Sequence, residues 1–290
     1  MRIVKHVALI REFDPWRSGL CTCPRKLTFN PYTGCDHACI YCYASSYIPR
    51  FADCRPKKNL LDRLKREATK LNGQIVSISN SSDPYPRIER EAGLTRKCLQ
   101  ILSEANCRIQ IITKSNLATR DIDVLQNAPS MVSVTVTTES SSLAKLLEPN
   151  APPPAERLKA IKTLTANSIP TAARIDPIIP TVNDNPERLV ALLAEAGVRQ
   201  LTCSTYKVKP DNWHRLTMVF PEAARALHPL YFDKGEKIGG YRYLPRELRL
   251  ALLDDVRLLA AKYGVEFGTC REGLSHLNTA ACDGSWLIRG

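Results

Sequence analysis

Five short segments between residues 74 and 137 decide the fold: QIVSIS (74–79), AGLTRKCLQILSEA (92–105), RIQIIT (108–113), LATRDIDVLQN (117–127) and MVSVTVT (131–137). The first and third are brief, apolar and rich in Ile or Val, and the fifth alternates with a period of two, so all three read as strands. The second carries Leu94, Cys98, Leu102 and Ala105 at helical spacing, and the fourth reads as the next helix. Outward from there the alternation continues. ERLKAIKTLTAN (156–167) puts Leu158, Ile161 and Leu164 on one helical face, behind a start marked by Pro152–Pro154. IPTAARIDPII (169–179) is a strand, ERLVALLAEAG (187–197) a helix ending at Gly197, and VRQLTCS (198–204) a strand. With RKLTFN (25–30) the strands number six.

Strands alternating with helices imply an α/β fold, with parallel strands, right-handed crossovers and helices outside. Such sheets bind ligands at the carboxyl ends of their strands. Near residue 205 the alternation stops; two helices follow, near 210–227 and 246–263, and then a tail containing Gly and Cys. The expected organisation is an N-terminal segment (1–24), a core (25–205) and a C-terminal extension packed on it (206–290).

The chain has 290 residues, 44% of them apolar and 24% charged, which is ordinary globular usage and excludes disordered and fibrous classes. Its net charge of +12 suits a polyanionic partner such as tRNA or DNA, and equally a merely soluble surface. No apolar run approaches the ~20 residues of a membrane span. Charge at Arg2, Lys5 and Arg11 interrupts the N-terminal stretch, leaving no signal-peptide core, so a cytoplasmic location is expected.

Eleven cysteines, without a secretion signal, argue for metal binding over a disulfide framework. Cys98, Cys107 and Cys203 sit in or beside apolar stretches and read as small core residues. Five others crowd into residues 21–42. Within them, Gly34-Cys35-Asp36-His37-Ala38-Cys39-Ile40-Tyr41-Cys42-Tyr43 has the spacing C-x3-C-x2-C. Three thiolates serve three irons of a cubane that normally takes four, leaving one iron open to an exogenous ligand. The alternative is Zn(II), for which His37 is the only nearby histidine.

This triplet, placed before alternating α/β segments, resembles that of the radical SAM superfamily. Four ordered blocks, SISNSSDPYPRIEREAGLTRKCL, IITKSNLATRDIDVL, VSVTVTTESSSLAKLLEPNAP and ARIDPIIPTVNDNPERLVALLAEAGV, are similar to the spore photoproduct lyase-like branch. The resemblance covers roughly residues 21–200. It implies a partial (β/α)6 barrel of the radical SAM type with a helical or irregular C-terminal extension. It also implies a [4Fe–4S] cluster, S-adenosylmethionine (SAM) at the strand ends, and a reducing partner such as ferredoxin or flavodoxin. SAM would be cleaved there to methionine and a 5′-deoxyadenosyl radical.

Residue by residue, Cys35, Cys39 and Cys42 match the cluster ligands and Tyr41 the aromatic position beside adenine. Ser79 to Ser82, with Ser79 and Ser81 foremost, match the loop that meets the amino group of SAM. Lys114 is similar to the basic residue that meets the SAM carboxylate, where an ammonium forms a charge-assisted hydrogen bond. Thr135 and Thr137 match polar positions near the ribose and carboxylate, and Arg174 and Asp176, at the end of the fifth strand, are expected to line the same cavity. The match breaks at one point: the hydrogen-donating cysteine of photoproduct lyases aligns with Asn80. Tyr85, Cys98 or a C-terminal residue would have to relay the radical, and the sequence selects none of them as catalytic.

Basic residues concentrate at Arg50, Arg55, Lys57, Lys58, Arg63, Lys65, Arg66 and Lys70. Arg242, Arg246 and Arg249 accompany Tyr241 and Tyr243. Basic residues interleaved with aromatics suit phosphates and stacked bases, while residues 57–70 also fit a solvated helix face. The leading expectation is a radical SAM enzyme, lyase-like or transferase, that modifies or repairs a nucleic acid. The alternatives are a radical SAM enzyme acting on a protein or peptide, and a zinc-binding nucleic-acid module without catalysis. A final expectation is an auxiliary metal site, zinc or [4Fe–4S], formed by Cys21, Cys23, Cys270 and Cys282, because chain ends often meet in a compact domain.

Overall fold

The computed structural model describes residues 8–13, 18–78 and 80–288. The strands are β1 (Arg11–Glu12), β2 (Leu27–Phe29), β3 (Tyr32–Thr33), β4 (Arg55–Pro56), β5 (Ile75–Ile78), β6 (Arg108–Thr113), β7 (Ser130–Thr135), β8 (Thr171–Ile178), β9 (Gln200–Thr205), β10 (Glu236–Ile238), β11 (Tyr241–Tyr243) and β12 (Glu266–Thr269). The helices are α1 (Leu60–Ala68), α2 (Glu89–Ala92), α3 (Leu94–Glu104), α4 (Ile122–Leu125), α5 (Ser141–Leu147), α6 (Pro154–Ala166), α7 (Glu187–Glu195), α8 (Pro210–Val219), α9 (Pro221–Phe232) and α10 (Arg246–Lys262).

An eight-stranded sheet runs in the order β1-β2-β5-β6-β7-β8-β9-β12. The six strands expected from the alternation lie side by side and parallel. β1 pairs antiparallel with β2 at one edge, and β12 pairs parallel with β9 at the other. The sheet curves into an open barrel of the expected kind. Helices cover its outer face, where Leu99 and Leu102 of α3, Ile161 and Leu164 of α6 and Leu189 and Leu193 of α7 join the strand residues in one apolar core. All six residues of β7 are buried, as strands covered on both faces must be.

Two elements differ from their sequence reading. Residues 117–127 form a 3-10 turn, Asn116–Asp121, followed by the short α4, because the buried Asp121 carboxylate is taken by Arg96 and Arg120. The single helix expected over 210–227 is two, since Pro221 has no N–H to continue α8 and opens α9 instead.

The C-terminal tail fills the inside of the barrel. Met131 and Ala172, which face inward, pack with Leu287 and Ile288. Gln110 donates to the carbonyl of Asp283 (2.8 Å), Gln200 to that of Ala281 (2.9 Å) and Thr202 to that of Cys282 (2.8 Å). Lys26, just before β2, forms a buried ion pair with Asp283. A Cβ at Gly268 would stand 2.7 Å from the Cα of Cys282, so only glycine lets β12 lie against the tail. No helix among the described residues is long and apolar enough to cross a membrane.

Candidate functional site

The cysteine loop leaves β3 through Gly34, whose φ of +83° is a left-handed conformation that glycine adopts without penalty. A side chain there would also collide with the carbonyl oxygen of Phe51, 2.5 Å from an ideal Cβ, while the Cys35 N–H donates to that oxygen at 2.8 Å. Two flanks then hold the loop. On one, the Ile40 N–H donates to Leu147 (3.0 Å), the Asn150 N–H to His37 (3.1 Å), and the Asn150 amide to the carbonyl of Asp36 (3.0 Å). On the other, α8 supplies Asn212 to the carbonyl of Tyr41 (3.0 Å) and Arg215 to those of Ile40 (2.9 Å) and Cys42 (2.6 Å).

Cys35, Cys39 and Cys42 line one cavity of about 230 Å³ at the carboxyl ends of the parallel strands. Burial pushes the thiols of Cys35 and Cys42 up and that of Cys39 to about 12. Buried thiols keep their protons unless a cationic centre takes them as ligands, and three of them on one tight loop fit a cubane bound at three irons. Thiol, carboxylate and imidazole atoms of Cys35, Asp36 and His37 also lie within 4.8 Å of one another, the arrangement a single zinc would use. His37, however, is buried with its Nε2 3.3 Å from Asp83 Oδ2. Asp83 in turn accepts from the Lys114 N–H (2.7 Å) and the Thr113 hydroxyl (2.7 Å), tying the cysteine loop to the end of β6.

Tyr41, Ser81, Lys114, Thr135 and Arg174, expected from the sequence to meet SAM, all line this cavity. Ser79 lies outside the described residues. Thr137 is buried and its hydroxyl donates to Glu148 Oε1 at 3.0 Å, away from the cavity-lining set. That Glu148 is the centre of an ionic knot the sequence reading missed. Tyr41 donates its hydroxyl to it, Arg157 forms a buried ion pair with it, and Lys114 Nζ lies 4.0 Å away, over the Tyr41 ring. Burial alone would push Glu148 up; Arg157 and Lys114 outweigh it and hold the carboxylate below its usual range. Burial likewise pulls Lys114 down, but Cys39 and Glu148 win and the ammonium is retained. Tyr41 and Glu148 are 107 residues apart, and no local pattern pairs them.

Across the cavity Arg174 donates to Asp176 at 2.7 Å. Burial would raise Asp176, yet Arg174 and Lys207, with a hydrogen bond from Ser204, bring it to about 2. Lys207 pairs with the buried Glu272 at 2.7 Å. Asn80, at the position where a lyase would have its cysteine, lines the cavity and donates to Thr28 Oγ1 at 2.7 Å. Of the other relay candidates, Cys98 of α3 is sealed in the core and Tyr85 is buried outside this cavity, whereas Cys270 of the C-terminal part lines it. Of the four cysteines expected at an auxiliary site, Cys21, Cys23 and Cys270 line the cavity and Cys282 lies 3.6 Å from Cys23, sulfur to sulfur.

The basic residues are dispersed. α1 connects two parallel strands and so runs against them, which puts Lys57 and Lys58 at the cavity end of the sheet and Lys65 and Lys70 towards the opposite end. Arg249 is buried between Glu236 and Glu272, and Tyr243 is buried beside it, so neither is available to a phosphate or a base. Tyr241 is also buried, its ring covered by Lys209 and Arg271. These corrections share one cause: spacing does not tell a solvated cation from one satisfied by a distant carboxylate.

The uncharacterized protein MJ0683 of Methanocaldococcus jannaschii is 36% identical over 166 residues, 55% of this chain and 62% of that relative, so the match spans less than two thirds of the relative's length. The uncharacterized protein Rv2578c of Mycobacterium tuberculosis is 27% identical over 263 residues, 83% of this chain and 75% of the relative. Among solved structures, spore photoproduct lyase complexed with dinucleoside spore photoproduct superposes with a TM-score of 0.70 at 17% identity, covering 91% of this chain and 80% of that one. Streptococcus suis SuiB bound to S-adenosylmethionine superposes with a TM-score of 0.56 at 15% identity, covering 83% and 49%. The sequence profile described as the radical SAM superfamily matches residues 29–193, more than half of the chain. A cysteine triplet opening on the strand ends of a partial barrel, together with that match, places this chain in the radical SAM superfamily, with a structure like that of spore photoproduct lyase.

Proposed function

We propose that this enzyme cleaves SAM reductively and uses the resulting 5′-deoxyadenosyl radical to modify or repair a nucleic-acid substrate. One observation carries the reading: the thiols of Cys35, Cys39 and Cys42 open on the same cavity as Lys114, Thr135 and Arg174. Cys35, Cys39 and Cys42 would hold a [4Fe–4S] cluster, which would supply an open iron for SAM and, with an external one-electron reductant, the redox chemistry of carbon–sulfur cleavage. The chain's own residues position SAM. The Lys114 ammonium meets its carboxylate, and Glu148 keeps that ammonium charged and aimed. Ser81 and Thr135 offer hydroxyls to its polar groups, and Arg174, fixed by Asp176, borders the far side. The tail that plugs the barrel excludes water from below, protecting a reactive radical.

The nucleic-acid part of the reading rests on the net charge of +12, on the cations at the cavity end of the sheet, and on the dinucleoside bound by the structurally similar lyase. Because Asn80 has no S–H, the outcome on that substrate is expected to differ from photoproduct lysis. The test is anaerobic incubation with SAM, dithionite and labelled oligonucleotides, following 5′-deoxyadenosine and transfer of deuterium into it. Cys39→Ala should abolish 5′-deoxyadenosine; formation at the wild-type rate would remove the cluster assignment. Nucleic-acid binding should fall steeply with added salt, and salt-independent or absent binding would move the substrate to the protein or peptide class.

A further inference from the structure

We propose that Cys21, Cys23 and Cys282 bind a zinc ion as thiolates, with the fourth ligand position turned to the cavity. The three cysteines come from opposite ends of the chain and from outside the triplet loop. Cys23 and Cys282 are 259 residues apart, yet their sulfurs are 3.6 Å apart, and the Thr22 hydroxyl lies 3.6 Å from the Cys282 sulfur. Cys21 and Cys23 both line the wall of the same cavity. Two thiolates on one tetrahedral ion with Zn–S bonds of about 2.3 Å stand about 3.8 Å apart. The observed spacing matches that edge. Each thiolate of a cubane takes a different iron and is held farther from its neighbours, so the spacing selects a mononuclear ion. Cys21, two residues before Cys23, is the third thiol of the proposed set.

Backbone architecture also brings these thiols together. Gly268 admits the Cα of Cys282 at a distance no side chain would allow. The Thr202 hydroxyl holds the carbonyl of Cys282, while Gln200 on Ala281 and Lys26 on Asp283 fix the tail on either side of it. Cys21 and Cys23 immediately precede β2, near one edge of the sheet, and Cys282 lies on the plug that follows β12 at the other edge. An ion shared by them staples the two edges of the open barrel. Cys270 also lines the cavity and is left outside the proposed ligand set.

The assignment does not depend on the SAM reading, and the assay separates the two. In the full-length Cys35→Ala/Cys39→Ala/Cys42→Ala variant, which has no triplet cluster, metal analysis should find about one zinc per chain. Adding Cys21→Ser, Cys23→Ser and Cys282→Ser should reduce zinc to background, while adding Cys270→Ser should leave it in place. Cobalt(II) in place of zinc should give the charge-transfer and d–d bands of a tetrahedral thiolate site in the triplet-less parent. This readout survives if the six-cysteine variant does not fold. A folded parent without zinc would overturn the proposal. So would iron and sulfide near four per chain, a Cys23–Cys282 disulfide found by mass spectrometry, or loss of zinc in the Cys270→Ser background.

Discussion

Replacing Glu148 with glutamine removes one negative charge from a site where Arg157 and Lys114 converge and where Tyr41 and Thr137 donate hydrogen bonds. The amide conserves shape, so the loss is mainly that of a counter-charge for a guanidinium whose side chain is 1% exposed. Stranding one member of a buried ion pair costs about 3–5 kcal/mol. Arg157 also donates to the carbonyls of Pro152 (2.7 Å) and Thr135 (3.1 Å), which soften the loss, so the lower end of that range, about 3 kcal/mol, is expected. In a chain of this size that lowers the melting temperature by roughly 6 °C. Sign and window follow from linkage. The carboxylate is held below its unfolded value of 4.5, so its contribution is complete above pH 4.5 and disappears as pH falls through the lowered native value. Thermal unfolding of both proteins between pH 2 and 8 should therefore show a constant gap above about pH 4.5 that narrows only below it. Adding Arg157→Met should recover part of the loss, because the stranded cation is then gone. Equal melting temperatures at neutral pH, or an identical gap at every pH, would refute the ionic knot.

On the proposed role of Lys114 at the SAM carboxylate, Lys114→Ala should weaken SAM binding while leaving the iron content unchanged; equal SAM affinity in the two proteins would take it out of the pocket. Gly34→Ala should cost at least about 1–2 kcal/mol for the left-handed backbone, plus the clash with Phe51, and should lower iron incorporation, measured after reconstitution. Asp176→Asn should destabilise the protein by roughly 2 kcal/mol at neutral pH, because a carboxylate held at about 2 by buried cations becomes neutral. That difference should be present above pH 3.8 and fade as pH falls towards 2, as followed by denaturant unfolding.

The six parallel strands and the cysteine loop were legible in the sequence because their signals are local. Period-two and helical spacing record which residues meet the core, and C-x3-C-x2-C keeps three ligands within ten residues. Gly34, Pro154 and Gly197 mark a turn, a helix start and a helix end, each through its own backbone chemistry. The cavity residues Tyr41, Ser81, Lys114, Thr135 and Arg174 come from the family resemblance, and the structure brings them together where loops converge at the strand ends. What required the tertiary structure was the pairing of charges across long separations. Glu148 answers Tyr41 and Arg157, Glu272 answers Lys207 and Arg249, and Asp283 answers Lys26. A sequence shows that a residue is ionisable but not which distant partner removes the cost of burying it. The same gap made Arg249 and Tyr243 read as a nucleic-acid surface, and α1 as a single basic patch. It also hid the two edge strands, β1 and β12, and the plug. Gln110, Gln200 and Thr202 are polar residues in apolar strands, and only the folded tail provides the carbonyls that explain them.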